Sequence, residues 1–280
     1  MKLPSPIRPL RGAAGLLIAA LGAFAALMLI MSLSQTQLLF PTDAVPGAGP
    51  LPPGGEQLEL ETPDGDKLQG VYLPPATGDG EGMLVLGFGG NAWNGQHVAS
   101  ELRRLFPEVH VVAFHYRGYR PSSGTPSAEA LIEDAPRVYD AAVERVRPRR
   151  VVAVGFSIGS GVAAHLASER DLEGLILVTP FDSLKSVASD LYPWLPVGPF
   201  FQHEMDAAGA LQHNGVPVAI IAADRDEIIS AKRTQALREV VPNMVFDRTV
   251  AGAGHNDIYG RTEFEKGMRE ALSAIVASRK

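Results

Sequence analysis

Ser157 stands between Gly155 and Gly159 in a Gly-x-Ser-x-Gly motif, the arrangement in this chain best suited to covalent chemistry. The apolar run Val151–Val154 precedes the motif and the small-residue stretch Val162–Ala167 follows it. Strand, motif and helix in that order lift a serine out of the sheet edge on a sharp turn. Glycine at both flanks keeps bulky side chains out of that turn. The same turn aims the next backbone N–H, that of Ile158, at the hydroxyl. Attack by a hydroxyl on an acyl carbon then needs three further parts: a base for the serine proton, an acid to hold the base's tautomer, and N–H donors for the oxyanion. The motif by itself has a plainer reading in a chain with 29 glycines. It is also how an ordinary strand-to-helix turn looks, with the serine capping the helix.

Short apolar runs predict the elements that position these parts. Leu58–Glu61 and Leu68–Leu73 alternate around Pro63-Asp64-Gly65-Asp66 and read as a hairpin. Met83–Phe88, Val109–Phe114, Val151–Val154, Leu175–Val178, Val218–Ile221 and Val245–Val250 read as further strands. Helical patterns lie between them, over about Gly95–Phe106, Ser127–Val146, Ile158–Ser168, Ser230–Val241 and Arg261–Ser278. Strands alternating with helices imply an α/β fold with a doubly wound, mostly parallel sheet, in which function gathers at the carboxyl ends of the strands.

Those ends supply the missing parts. After Met83–Phe88 comes Gly89-Gly90-Asn91, whose Asn91 backbone N–H is expected to pair with that of Ile158 as the oxyanion donors. After Val218–Ile221 come two candidate acids, Asp224 and Asp226, with Asp224 nearer the strand end. After Val245–Val250 comes His255, on a glycine-rich loop before the last helix, as the base. His97, His165, His203 and His213 read as structural, His110 as an edge residue, and His115 as a candidate border of the site. Asp257 reads as a helix cap. Residues 182–205 are apolar and broken by proline. Trp194 and Phe200 there are candidates for an acyl-binding wall, against the alternative that this segment simply packs on the body.

From about Glu56 to the C-terminus the chain resembles an α/β-hydrolase, and within that superfamily a membrane-anchored branch that includes lipid-modification and acyl-thioester hydrolases. The resemblance rests on Gly89-Gly90-Asn91-Ala92, on Tyr116-Arg117-Gly118-Tyr119 through Ser123-Gly124-Thr125-Pro126-Ser127, on Gly155-Phe156-Ser157-Ile158-Gly159, on Asp226-Glu227-Ile228-Ile229 and on Gly254-His255-Asn256-Asp257. The order Ser, Asp, His matches that fold. The resemblance implies Ser157 as nucleophile, Asp226 as acid and His255 as base; no cofactor is expected, and no metal-ligand spacing stands out in the sequence. Gly89, Ala222 and Ser230 stand where relatives often have histidine, glycine and proline.

Composition narrows the setting. Charged residues are 20% and hydrophobic ones 46% of the chain, so a sizeable core is available. A net charge of −6, with no basic cluster outside Arg145–Arg150 and the N-terminus, argues against nucleic acid as a partner. The absence of cysteine excludes disulfides and thiolate chemistry. Residues 12–33 carry no charge, and 22 residues at about 1.5 Å each reach about 33 Å, enough to cross a bilayer core of about 30 Å. They are read as an uncleaved transmembrane signal anchor rather than a cleaved signal peptide, being too long and followed by a poor cleavage site. Lys2, Arg8 and Arg11 precede the segment and no positive charge comes after it until Lys67, so residues 1–11 are expected in the cytoplasm and the catalytic domain on the other side. Residues 34–55, rich in proline and glycine from Pro41 on, are expected to be a linker, and 56–280 the hydrolase domain with a short cap at about 182–205. Together these features read as a membrane-anchored serine hydrolase acting on an ester or thioester of an acyl, lipid-like substrate. An aminopeptidase of the same fold and a catalytically silent scaffold at the membrane are the alternatives.

Overall fold

Runs of β-branched and aliphatic residues, too short for helices, hydrogen-bond into one eight-stranded sheet in a computed structural model that describes residues 8–78, 80, 82–194 and 197–279. Helix α1 (Arg8–Leu39) comes first. The hairpin β1 (Glu56–Glu61) and β2 (Lys67–Leu73) is next, then β3 (Met83–Phe88), α2 (Gly95–Leu105), β4 (His110–Phe114) and α3 (Ala128–Val146). The centre of the chain is β5 (Arg150–Phe156), α4 (Ile158–Glu169) and β6 (Gly174–Val178). The short helices α5 (Leu184–Leu191), α6 (Val197–Phe200) and α7 (Ala207–Leu211) lead to β7 (Val218–Ala223), α8 (Ala231–Val240), β8 (Met244–Val250) and α9 (Thr262–Ser278).

The strand order is β1-β2-β4-β3-β5-β6-β7-β8. β1 and β2 pair antiparallel, β2 meets β4 antiparallel, and every later neighbour is parallel. The parallel strands are apolar on both faces because both faces are covered. Leu84, Leu86, Val151, Ala153, Leu175 and Leu177 face one layer with Leu131, Val138, Val162 and Leu237. Val85, Val152, Val154, Ile176 and Ile221 face the other, with Leu102, Phe264, Met268 and Ile275. β5 and β6 sit mid-sheet, so their carboxyl ends open between two covered faces.

The N-terminal segment departs from expectation. One helix is long and apolar enough to cross a membrane, as residues 12–33 imply. It does not end at residue 33 but runs on to Leu39, six residues into the stretch expected to be a linker. Nor are residues 40–55 a loose tether. Phe40 is buried in the main core with its ring edge-on to His203. Asn94 Nδ2 donates to Pro46 O at 3.1 Å, Gln96 Nε2 to Pro50 O at 2.7 Å and Arg103 Nη1 to Pro53 O at 3.0 Å. Proline cannot donate, but its carbonyl still accepts, and α2 with its N-cap Asn94 uses three such carbonyls to clamp the segment.

His115, at the end of β4, serves the fold and does not line the candidate site. Its Nδ1 accepts the Gly95 amide at 3.2 Å, one of the first-turn amides of α2 that has no partner within the helix. Burial pushes its pKa down to about 4. The folded value lies below the unfolded one, so as pH falls the unfolded chain takes up the proton first. Stability present above about pH 6.5 is therefore lost towards pH 4, by about 3 kcal/mol. Urea unfolding between pH 7 and pH 4.5 should show this slope, and His115→Gln should flatten it, with His110 and His203, also lowered by burial, supplying the remainder. Equal slopes in both proteins would remove His115 from the account.

Candidate active site

The turn between β5 and α4 is held open by close backbone approaches. A Cβ on Gly155 would lie 2.3 Å from Gly159 O, and one on Gly159 would lie 2.3 Å from Phe88 O. Ser157 has φ 50° and ψ −117°, a conformation that non-glycine residues adopt only under constraint. The constraint is visible: the Ser157 amide donates to Val178 O at 2.9 Å, and Ser160 N and Oγ both donate to Ser157 O, at 2.8 and 2.6 Å. Although Ser157 occupies the cap position of α4, its hydroxyl makes no capping bond to that helix.

The hydroxyl meets His255 instead. His255 Nε2 lies 2.9 Å from Ser157 Oγ, and Nδ1 lies 3.0 and 2.8 Å from the two oxygens of Asp226. The side chains of His255 and Asp226 are 6% and 5% exposed, so this ion-pairing geometry is shielded from water. Asp226 also accepts the amides of Ile228 at 2.9 Å and Ile229 at 2.7 Å, which fixes the carboxylate's plane. A carboxylate that is ionised only accepts, so His255 carries its proton on Nδ1 and presents a lone pair at Nε2 to the serine. Asp224 points elsewhere: it accepts the Gly252 amide at 3.1 Å within the neighbouring turn. Glu227 accepts the His255 amide at 3.0 Å. Asp257 does not cap a helix with its side chain. It accepts the Gly254 amide at 2.7 Å and pairs with Arg261 at 2.5 Å, so three acidic side chains shape the loop that carries the histidine.

Gly90 and Asn91 sit beside the serine; a Cβ on Gly90 would be 3.7 Å from Ser157 Cβ. Ile158 lies on the other side as the first residue of α4, where an amide has no intrahelical acceptor and the helix dipole is positive. The Tyr-Arg-Gly-Tyr segment braces the Asn91 loop, a role that its sequence pattern does not disclose. Tyr116 Oη donates to Gly89 O at 2.8 Å and Tyr119 Oη donates to Asn91 Oδ1 at 2.8 Å. Burial pushes Tyr119 up to about 12 and Tyr116 well above its ordinary value, which keeps both phenols protonated as donors. Arg117 between them turns the other way, into Asp134 at 2.6 and 3.1 Å, with Asp66 at 3.2 Å and Asp64 also in contact.

A cavity of about 410 Å³ opens at Ser157 and His255. Apart from Ser157 and His255 its described walls are apolar or neutral, and among the described residues no carboxylate, lysine or arginine lines it. Trp93 and Tyr259 form one wall, their rings 4.7 Å apart, and burial holds the Tyr259 phenol protonated up to about 12. Leu184, Val187 and Leu191 of α5 form another. Trp194, expected at the acyl wall, does not line the cavity; it is 62% exposed, while Tyr192 and Phe201 take that position. A proline-broken stretch gives no helical period from which to read which aromatic turns inward. The side chain of Phe200 lies outside the described residues. The remaining wall comes from Met28, Met31 and Ser32, expected only as part of the anchor, and from Gln35, Leu38 and Leu39, expected as linker, all on α1.

Comparison with known proteins agrees with this architecture. Residues 83–216 match a family described as the alpha/beta hydrolase fold. The uncharacterized protein Rv2307c of Mycobacterium tuberculosis is 33% identical over 245 residues, 86% of each chain. The lysophosphatidylserine lipase ABHD12 of Rattus norvegicus is 28% identical over 221 residues, covering 68% of this chain and 55% of that one. An esterase of Pyrococcus furiosus superposes with a TM-score of 0.66 at 18% identity, over 83% of this chain and 97% of that chain. With its mixed, mostly parallel sheet, its glycine-bracketed serine turn and this relationship over most of its length, the chain belongs to the alpha/beta hydrolase superfamily, as a hydrolase.

Proposed function

We propose that this hydrolase cleaves a carboxylic ester or thioester through an acyl-enzyme on Ser157. The observation that carries the proposal is the single imidazole of His255, bridging Ser157 Oγ at 2.9 Å and Asp226 at 2.8 Å, with the His255 and Asp226 side chains buried beside the cavity. Ser157 Oγ attacks the acyl carbon while its proton passes to His255 Nε2, and Asp226 stabilises the resulting imidazolium. The carbonyl oxygen, now negative, faces the amides of Ile158 and Asn91. Collapse expels the alkoxide or thiolate, which takes the proton from Nε2. Water then repeats the sequence on the acyl-enzyme: it loses a proton to Nε2, attacks the acyl carbon and releases the acid and Ser157.

An uncharged, apolar cavity favours an acyl group over a substrate with a charged amine. Glu227, the extra carboxylate an aminopeptidase could use, is turned to the His255 amide. The helix α1, with three basic residues before its apolar stretch, supports a membrane-anchored enzyme with its N-terminus in the cytoplasm and the site on the opposite side. A fluorophosphonate probe on the full chain tests the chemistry. It should label the wild type and not Ser157→Ala; equal labelling of the two would end the proposal.

A further inference from the structure

We infer that the last three turns of α1 are a working wall of the acyl site, so that this enzyme takes its acyl chain directly from the bilayer its own helix occupies. This rests on the serine-hydrolase reading for the chemistry at Ser157, but the wall itself is a separate matter of geometry. Two halves of α1 behave differently. Residues 14–27 are exposed on every side. From Met28 on, a stripe at helical spacing, Met28, Met31, Ser32, Gln35 and Leu39, is half-buried, and those side chains line the cavity that holds Ser157. The contact is fastened: Thr36 Oγ1 meets His203 Nε2 at 2.9 Å, the Gln202 amide donates to Gln35 Oε1 at 3.0 Å, and Phe40 is buried just beyond.

The depth of that wall is set by helix length. Between Arg11 and Ser32 lie about 20 uncharged residues, about 30 Å of helix and the thickness of a hydrocarbon core. Ser32, Ser34, Gln35, Thr36 and Gln37 then fall at the interface. The cavity wall thus begins inside the hydrocarbon, at Met28 and Met31, and ends in the headgroup layer. Around it Leu191, Tyr192, Trp194 and Ile228 are exposed, an apolar and aromatic group of the kind that settles at a membrane surface. An amphiphile lying in the leaflet would keep its chain along α1 while its ester reached Ser157. The substrate class is therefore a long-chain acyl ester or thioester of a membrane-resident amphiphile.

The full chain in phosphatidylcholine vesicles tests this, with monopalmitoylglycerol in the bilayer and p-nitrophenyl butyrate in the water. Met31→Trp should lower the ratio of kcat/KM for the palmitoyl over the butyryl ester by about tenfold or more, since chain-length discrimination is set by pocket contacts. Leu17→Trp, on the lipid-facing half, should leave the ratio at the wild-type value. A second readout does not need turnover: in Ser157→Ala, a monoacylglycerol with a diazirine-bearing chain should cross-link within residues 28–39. An unchanged ratio in Met31→Trp, or cross-links confined to α5 with none on α1, would overturn the wall. Cross-linking on α1 without hydrolysis of either ester by the wild type would instead leave the wall standing and remove the hydrolase chemistry.

Discussion

Asp226→Asn should lower kcat for ester hydrolysis by about 10,000-fold while the protein stays folded. The carboxylate sits 2.8 Å from His255 Nδ1 and is held by the Ile228 and Ile229 amides. An amide at that position can still accept from those two N–H groups, so the loop survives. It can also offer its NH2 to Nδ1, which stabilises the tautomer with the proton on Nε2, facing the serine, where no base is then available. Because the three groups act as a unit, adding His255→Ala to this variant should cost only about 100-fold more, far less than the loss that His255→Ala causes alone. Asp224→Asn is the informative partner, two residues away with its carboxylate turned to the Gly252 amide, and should hydrolyse near the wild-type rate. Steady-state kinetics with a soluble ester, with thermal melts to show equal folding, decides the matter. A far greater loss in Asp224→Asn than in Asp226→Asn would move the acid to Asp224.

Gly159→Ala should be strongly damaging for the addition of a single methyl group. Its Cβ would lie 2.3 Å from Phe88 O and 2.6 Å from Gly89 O, both backbone atoms at the end of β3. Neither can turn aside as a side chain would, so α4 must back away from the sheet or the β3 end must move. Overpacking of this kind costs about 1–3 kcal/mol, and here it falls on rigid backbone, so a loss of about 3 kcal/mol or failure to fold is expected. The segment displaced is the one leading to Gly90 and Asn91, so any folded fraction should also have lost much of its kcat. Gly161→Ala, one half-turn on, is the control. Its Cβ would meet the Phe181 ring at 3.1 Å and Met205 side-chain atoms at 3.2 Å, neighbours that can shift, and its cost should be about 1 kcal/mol or less. Urea unfolding of both variants measures the difference; a Gly159→Ala protein as stable as the wild type would contradict the packing at the turn.

Much of this was legible in the amino-acid order, because the signals concerned are local. A parallel strand buried on both faces must be apolar throughout, so Val151–Val154 and Leu175–Val178 announce themselves, as does a helix apolar on every side such as α1. The glycines around Ser157 are demanded by backbone crossings within a few residues, and the carboxyl ends of β3, β5, β7 and β8 bring Asn91, Ser157, Asp226 and His255 to one edge once the sheet is parallel. The local signal does not reach directions that side chains take in turns, nor contacts between segments far apart in the chain. Asp224 and Asp226 differ only in how one loop folds, and the fold gave His255 to Asp226. That Tyr192 rather than Trp194 lines the cavity was not legible, because proline breaks leave no period to read. Whether α1 stops at residue 33 or continues into the site depends on His203 and Gln202, over 160 residues away, and on prolines whose carbonyls Asn94 and α2 hold. Composition made that segment look like a tether. Its packing, which only the tertiary structure decides, makes it part of the cavity.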